Sequence, residues 1–167
     1  GKKKTADNGP FRLIYVGGVN TARGIDRLLD AMNLVQHRNV ECHIIGQSNA
    51  QILMQRMKDN ERVVYHGRVA WENLAEKLNG ADVGVALYQP LPAFLYYPGE
   101  NVVKLFEYMA YGLAVLISDF PNLRAFNEQI GFGLTVDPTD PKQIAEAIDY
   151  LYENPDLRKR MGFNGAR

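Results

Sequence analysis

The sequence predicts an α/β fold, a Rossmann-like doubly wound parallel sheet of about six strands with helices on both faces. Two observations predict it. Short apolar runs bounded by turn residues alternate along the chain with segments whose apolar residues recur at three- and four-residue steps. Such alternation implies parallel strands joined by right-handed helical crossovers. A length of 167 residues with 46% hydrophobic residues suits one domain with its own core.

Six apolar runs have the length and the boundaries of strands. They are Phe11–Val16, Val40–Ile45, Val63–Tyr65, Asp82–Leu87, Ala114–Ile117 and, with a weaker pattern, Leu134–Val136. Ligands of an open parallel sheet bind beyond the carboxyl ends of its strands, near a reversal of strand order. The loops that follow these runs are therefore the places where chemistry is expected.

Five segments between the runs have helical periodicity. They span Ile25–Met32, Ile52–Met57, Leu74–Leu78, Val102–Met109 and Ile144–Leu151. Gly112 is the expected left-handed cap after the fourth segment. Pro141 after Asp140 and Pro155 after Asn154 are predicted helix starts.

Charge and cysteine content restrict the functional class. Lys+Arg and Asp+Glu both total 19, so no strongly basic face for nucleic acid is indicated. The sequence contains no apolar run of about 18 residues, the length of a spanning helix. The single cysteine, Cys42, rules out an internal disulfide and fits a cytoplasmic protein. Residues 1–9 are predicted to be a disordered or cloning-derived tail, and residues 10–167 the folded domain.

Two loops are candidates for binding an anion. The first begins at Gly17-Gly18 and contains Arg23, whose guanidinium suits phosphate, although a plain turn with a surface arginine fits equally well. The second, Tyr88–Gly99, is long and rich in proline and aromatic residues. It leads into Asn101–Val103, whose backbone amides would head a helix and could hold an anion.

Other polar residues have two open interpretations each. Glu107, in an otherwise apolar helical segment, is either a surface carboxylate or a group that accepts two neighbouring hydroxyls of a ribose. Arg68 and the backbone of Val69 follow the third run, where they could meet phosphate and a base or simply face solvent. His43 and His66 lack the spacing of a metal site, and no metal or other cofactor is indicated.

Several segments occur in an order that is more specific than any one of them. The most specific is Lys104–Val115 (KLFEYMAYGLAV); the others are Tyr15–Ala31, His43–Gly46, Tyr65–Val69, Ala81–Val85 and Gly131–Pro138. As an ordered set they resemble the donor domain of GT-B glycosyltransferases of the large retaining family 4. The resemblance implies the C-terminal half of a two-domain enzyme. The acceptor, a glycan or lipid-linked sugar, would bind an N-terminal domain that precedes this half.

The resemblance also implies residue roles toward a nucleoside diphosphate sugar. Glu107 matches the second acid of the family's E-x7-E motif, which binds the donor ribose. The amides of Asn101, Val102 and Val103 match the turn that holds the diphosphate. Arg23 matches the basic residue that neutralises the leaving diphosphate, and Val69 lies where the backbone meets the base. The resemblance further implies that the sugar is transferred with retention of the anomeric configuration and without a metal ion. The pathway would be the assembly of a polysaccharide or glycolipid, and any membrane association would belong to the full-length protein.

Two positions depart from the family pattern. Gly18 stands where an arginine often follows the first-strand glycine, so one diphosphate-binding cation is missing there or supplied elsewhere. Glu100, the candidate for a sugar contact, is one place late for the first motif acid, because 107 − 100 = 7 where the motif needs 8. Two rival functions remain, a sugar-nucleotide epimerase of the same architecture and a non-catalytic flavodoxin-like module. The first needs additional acids and histidines, and the second an acidic cluster after the first strand.

Overall fold

A single six-stranded parallel sheet forms the centre of the protein, in the order β3-β2-β1-β4-β5-β6. The computed structural model describes residues 9–96 and 99–167, with only the backbone of residues 99–102. The strands are β1 (Phe11–Val16), β2 (Val40–Ile45), β3 (Val63–Gly67), β4 (Val83–Ala86), β5 (Ala114–Ser118) and β6 (Gly133–Val136). The predicted fold class is confirmed, and no predicted strand boundary is more than two residues from the observed one. Residues 1–8 of the predicted tail lie outside the described residues.

Eight helices accompany the described strands. They are α1 (Ile25–Met32), α2 (Gln51–Asp59), α3 (Trp71–Asn79), α4 (Pro92–Tyr96), α5 (Gly99–Ala110), α6 (Pro121–Ile130), α7 (Pro141–Glu153) and α8 (Pro155–Ala166). The predicted starts at Pro141 and Pro155 are confirmed, and the Asp140 side chain accepts hydrogen bonds from the Lys142 and Gln143 amides. Gly112 has the expected left-handed conformation, with φ 66°. Helices α4 and α6 were not predicted. Helix α4 lies within the segment that was expected to be a long loop, Tyr88–Gly99.

Alternating side chains of the strands fill two separate cores. In β1, Leu13 and Tyr15 pack into one apolar cluster with α1 and α7, whereas Ile14 and Val16 pack into another with α5. Both faces of the central strands are therefore covered, as the near-continuous apolar sequence of a parallel sheet requires.

The strands β1 and β4 separate toward their carboxyl ends. Their pairing is limited to Leu13↔Val83 and Ile14↔Gly84. Beyond it, the Tyr108 hydroxyl of α5 accepts a hydrogen bond from the Val16 amide (3.1 Å) and donates one to the Val85 carbonyl (2.9 Å). Gly84 makes room, because a Cβ there would lie 2.5 Å from the Tyr108 ring. The strands thus separate where the strand order reverses, which is the expected place of a ligand-binding crevice.

Candidate functional site

The turn after β1 forms the base of the crevice and is held in a close approach to β2. The Gly17 amide donates to the Ile45 carbonyl (2.9 Å), and the Tyr15 hydroxyl donates to the Gly18 carbonyl (2.6 Å). A Cβ on Gly46 would lie only 1.7 Å from the Gly17 carbonyl oxygen. Glycine is required at position 46 for this approach, which fixes the predicted binding residues Gly17 and Gly18 at the carboxyl edge of the sheet.

The predicted phosphate ligand Arg23 lies against this turn. Its Nε and Nη1 atoms are both 3.6 Å from the position of a Cβ on Gly18, and its Cζ atom is 5.6 Å from the ring centroid of Phe94 in α4. The Arg23 amide donates to the Asn20 side-chain oxygen (2.9 Å), which shapes the loop before α1. The guanidinium is therefore held between the turn after β1 and the segment after β4.

The loops after β1 and β4 are in direct contact. The Gln89 amide donates to the Ala22 carbonyl (2.9 Å). Gly24 has a φ of 78°, and a Cβ there would lie 2.1 Å from the Leu87 carbonyl oxygen. The buried Gln89 side chain donates to the carbonyls of Leu87 and Pro138 (3.0 and 2.8 Å). These bonds join the loops after β1, β4 and β6 into one edge.

Glu107 lies on α5 beside a lysine whose role the sequence did not suggest. The Lys104 Nζ atom is 3.7 Å from a Glu107 carboxylate oxygen, and the side chains are 12% and 38% exposed. The Lys104 Cε atom is 3.6 Å from the position of a Cβ on Gly17. The structure therefore brings Arg23 and Lys104 to the same Gly17-Gly18 turn, with Glu107 beside Lys104. The i,i+3 spacing of Lys104 and Glu107 was the available sequence signal for this pair.

The remaining predicted residues of α5 are less fully described. The helix begins at Gly99, so Glu100, Asn101 and Val102 belong to its first turn, and their side chains lie outside the described residues. Val103 is the fifth residue of the helix, and its side chain is 59% exposed. The roles of these four residues stay predictions.

Arg68 and Val69 lie at the end of β3, two strands away from β1 in the sheet. Arg68 is exposed and Val69 is half-buried, and both line a cavity that also includes His43 and His66. The two histidines form a hydrogen bond with each other, with 2.9 Å between His43 Nδ1 and His66 Nε2. This contact was not foreseen from the sequence, which suggested separate structural roles.

Within residues 9–96 and 99–167, no three or more His, Cys, Asp or Glu side chains are grouped as a metal site would require. In the same part of the chain, no helix has the length and apolar character needed to cross a membrane.

Solved structures with the same fold include several glycosyltransferases. Sucrose-phosphate synthase from Thermosynechococcus elongatus has 25% identity and a TM-score of 0.74, covering 98% of this chain and 41% of that one. The C-terminal domain of the group 1 glycosyl transferase LpcC from Francisella tularensis has 19% identity and a TM-score of 0.73. The match covers 95% of this chain and 84% of the LpcC domain. Anabaena HepE in complex with UDP and glucose has 15% identity and a TM-score of 0.74. The match covers 95% of this chain and 43% of HepE. The chain thus spans about two fifths of the length of the synthase.

The sequence itself matches one family model over almost its full length. A search of curated proteins finds no match. The model described as "Glycosyl transferases group 1" matches residues 2–167. The chain therefore belongs to the group 1 glycosyl transferase family.

Proposed function

We propose that this chain is the donor-binding domain of a retaining glycosyltransferase. The full protein would transfer a sugar from a nucleoside diphosphate sugar to a glycan or lipid-linked acceptor, which a second, N-terminal domain would hold. The observation that carries this proposal is the approach of Arg23 and Lys104 to the Gly17-Gly18 turn, with Glu107 beside Lys104, where β1 and β4 separate. The complex of HepE with UDP and glucose, a protein of the same fold, agrees with a nucleotide donor.

The diphosphate of the donor would lie over the Gly17-Gly18 turn. Arg23 lies beside Gly18 and Lys104 beside Gly17, so two cations lie at the same pair of glycines. The first-turn amides of α5 would add donors to the phosphate oxygens. Lys104 thereby offers the second cation that the glycine at position 18 does not supply.

The ribose would bind the Glu107 carboxylate, which is partly exposed and lies 3.7 Å from the Lys104 ammonium. One carboxylate can accept hydrogen bonds from both ribose hydroxyls. The base would meet the backbone near Val69, at the end of β3, and Glu100 is the candidate for the sugar.

The same cations would assist the chemical step. When the bond from the anomeric carbon to the diphosphate oxygen breaks, that oxygen gains negative charge. Prepositioned cations and amides stabilise the developing charge more than the charge of the bound substrate. Arg23 and Lys104 are the side chains we assign to this task, in place of a metal ion. For the pathway, we propose that the full protein acts in polysaccharide or glycolipid synthesis at the cytoplasmic side of a membrane.

We expect Glu107→Ala to weaken the binding of UDP or GDP by about tenfold to over a hundredfold. Loss of a hydrogen bond to a charged group costs about 1.5–3 kcal/mol, which corresponds to that range of dissociation constants. Isothermal titration calorimetry on this chain measures the change. Glu146→Ala, which removes an exposed carboxylate from α7, is the matched control and should leave the affinity unchanged. An unaltered affinity of the Glu107 variant would remove this residue from the site.

We expect Arg23→Ala to weaken the binding of UDP but not of uridine, because the guanidinium is assigned to the diphosphate alone. The loss for UDP should be about tenfold or more, the cost of one charge-assisted hydrogen bond. The matched control is Arg160→Ala, which removes an exposed guanidinium from α8. Equal losses for uridine and UDP would contradict the assignment to the diphosphate.

A further inference from the structure

The cavity lined by Arg68, Val69, His43 and His66 has a volume of about 680 Å³ and lies between α3 and the face of β1, β2 and β3. Charged and titratable side chains line it from all four elements: Arg12 from β1, His43 from β2, His66 from β3, Arg68 from the loop after β3, and Glu76 and Lys77 from α3. Helix α3 covers this face of the sheet with only Leu78 fully buried. The space between them is thus polar and large enough for a small ligand.

The two histidines belong to a hydrogen-bonded chain that begins at a carboxylate. His43 Nε2 is 2.9 Å from Glu41 Oε1, and His43 Nδ1 is 2.9 Å from His66 Nε2. The Glu41 carboxylate can only accept, so His43 Nε2 carries a proton. In the neutral pair, His43 Nδ1 then accepts the proton of His66 Nε2, which leaves His66 Nδ1 unprotonated. The chain can therefore take up one more proton at its His66 end.

Positive charge predominates around His66. Among the residues that the structure describes, three cations line the cavity, Arg12, Arg68 and Lys77, but only one carboxylate, that of Glu76. The nearby Glu41 carboxylate contacts both His43 and Arg12, and its Oε1 atom lies 3.5 Å from Arg12 Nε. Partial burial, followed by the charges of Lys77, His43 and Arg12, lowers the pKa of His66 below its ordinary 6.5. The positive environment therefore opposes protonation of this ring until a negative group enters.

We propose that this cavity binds a phosphate group and that the His43–His66 pair takes up one proton from solvent as it does so. Guanidinium, ammonium and imidazolium groups are the donors that bind phosphate oxygens most strongly. Arg12, Lys77 and Arg68 are cations that line the cavity, and the added proton makes His66 a further donor. The proposal rests on the face of β1–β3 and not on Arg23, Lys104 or Glu107, although the cavity shares Arg68 and Val69 with the predicted place of the base.

The proton uptake determines the direction of the pH dependence. Without phosphate, the lowered pKa of His66 means that the unfolded chain binds more protons than the folded chain just below pH 6.5, so stability falls as the pH falls there. The negative charge of bound phosphate raises the pKa of His66 and removes this loss. Its affinity for the phosphate dianion therefore increases as the pH falls from about 7.5 to about 6, by up to about tenfold per pH unit.

The test uses the imidazole proton signals of the three histidines in a titration with inorganic phosphate. Arg23→Ala is the background, which weakens any binding of phosphate in the donor crevice. Saturable shifts of the His43 and His66 signals, larger at about pH 6 than at about pH 7.5, are expected. His37 is the internal control, since it contacts Glu153 and stacks on Tyr152 elsewhere on the surface. Glucose 1-phosphate in a parallel titration distinguishes a phosphorylated metabolite, which would bind more tightly, from free phosphate.

Variants decide between a binding site and a structural pair. His66→Asn should weaken phosphate binding at about pH 6 by about tenfold or more, and His37→Asn is the matched control. Should His66→Asn fail to fold, Lys77→Gln on the surface of α3 gives the same readout. Unshifted His43 and His66 signals in the folded chain, or unchanged phosphate affinity in the variants, would overturn the proposal. Either result would leave the UDP measurements, and hence the donor site, unaffected.

Discussion

Tyr108 joins the two strands that separate at the crevice. Its hydroxyl lies between the Val16 amide and the Val85 carbonyl, in place of a direct bond between strands β1 and β4. The residue is fully buried, and burial raises its pKa well above 10, so the hydroxyl keeps its proton. One side chain thereby satisfies buried backbone groups on both strands while holding them apart.

We expect Tyr108→Phe to lower the free energy of unfolding by about 1–3 kcal/mol, because the variant leaves buried polar groups of Val16 and Val85 without this partner. Unfolding in urea, followed by circular dichroism, measures the change. Tyr150→Phe removes an exposed hydroxyl from α7 and is the matched control, with little expected effect. The affinity for UDP should also fall, since the strand ends would move. Identical stability of both variants would contradict the bridging role.

Arg23 and Lys104 differ in how far the sequence could predict them. Arg23 was identified by its place in the loop after β1, and the structure places its guanidinium beside Gly18. Lys104 was overlooked since its position in the sequence is that of an ordinary helix surface residue. Only the three-dimensional approach of α5 to the Gly17 turn reveals it.

At the scale of elements, strands were easier to predict than helices. The runs Phe11–Val16 and Val40–Ile45 match β1 and β2 because both strands lie inside the sheet and end at glycine turns. Helix α4 has five residues, none of them fully buried, so burial imposes no apolar pattern on it. Helix α6 does have an apolar pattern with helical spacing, formed by Leu123, Phe126 and Ile130, and this pattern could have been recognised in the sequence.

Helical periodicity identified segments but not always the face that packs. Ile52 belongs to the periodic set of α2 yet is 79% exposed, whereas Leu53 and Met57 of the same helix are buried. Phe106 of α5 is likewise half-exposed and makes an edge contact with Phe126 of α6. Periodicity restricts which residues share a face, but the neighbouring elements determine which face is covered.

The pairing of β2 with β3 explains why the contact between the histidines was missed. Ile44 pairs with Tyr65, but Ile45 pairs with Gly67, so the register shifts by one residue at His66. Such an irregularity redirects a side chain, and here His66 meets His43 of the neighbouring strand. A register shift depends on the geometry of both strands and has no clear signal in either sequence alone.

At the scale of the whole molecule, the strand order creates the candidate site. The alternation of strands and helices predicts parallel pairing, but it does not specify that β1 neighbours β4. Only that neighbour relation brings the loop containing Arg23 to the segment that precedes α5. The family match over residues 2–167 argues against the flavodoxin-like alternative.

Cys42 provides a measure of the stability of this whole arrangement. It is 0% exposed in β2, which is paired on both sides, by β1 and β3. Burial raises the pKa of its thiol from 9.0 to about 12. Because the thiolate is the reactive species, the native state should not react with a thiol reagent. Labelling then requires that the sheet opens.

We therefore expect the labelling of Cys42 to follow global unfolding, because β2 cannot expose its inner face without separation from its neighbours and from α1. The free energy from labelling rates, measured against urea, should have the same slope as the equilibrium unfolding curve. A variant with Cys42→Ala and Asn49→Cys, which places the thiol at an exposed loop position, should react at once and serves as the control. A slope near zero for Cys42 would mean that β2 and β3 open locally, and the sheet would not be one cooperative unit.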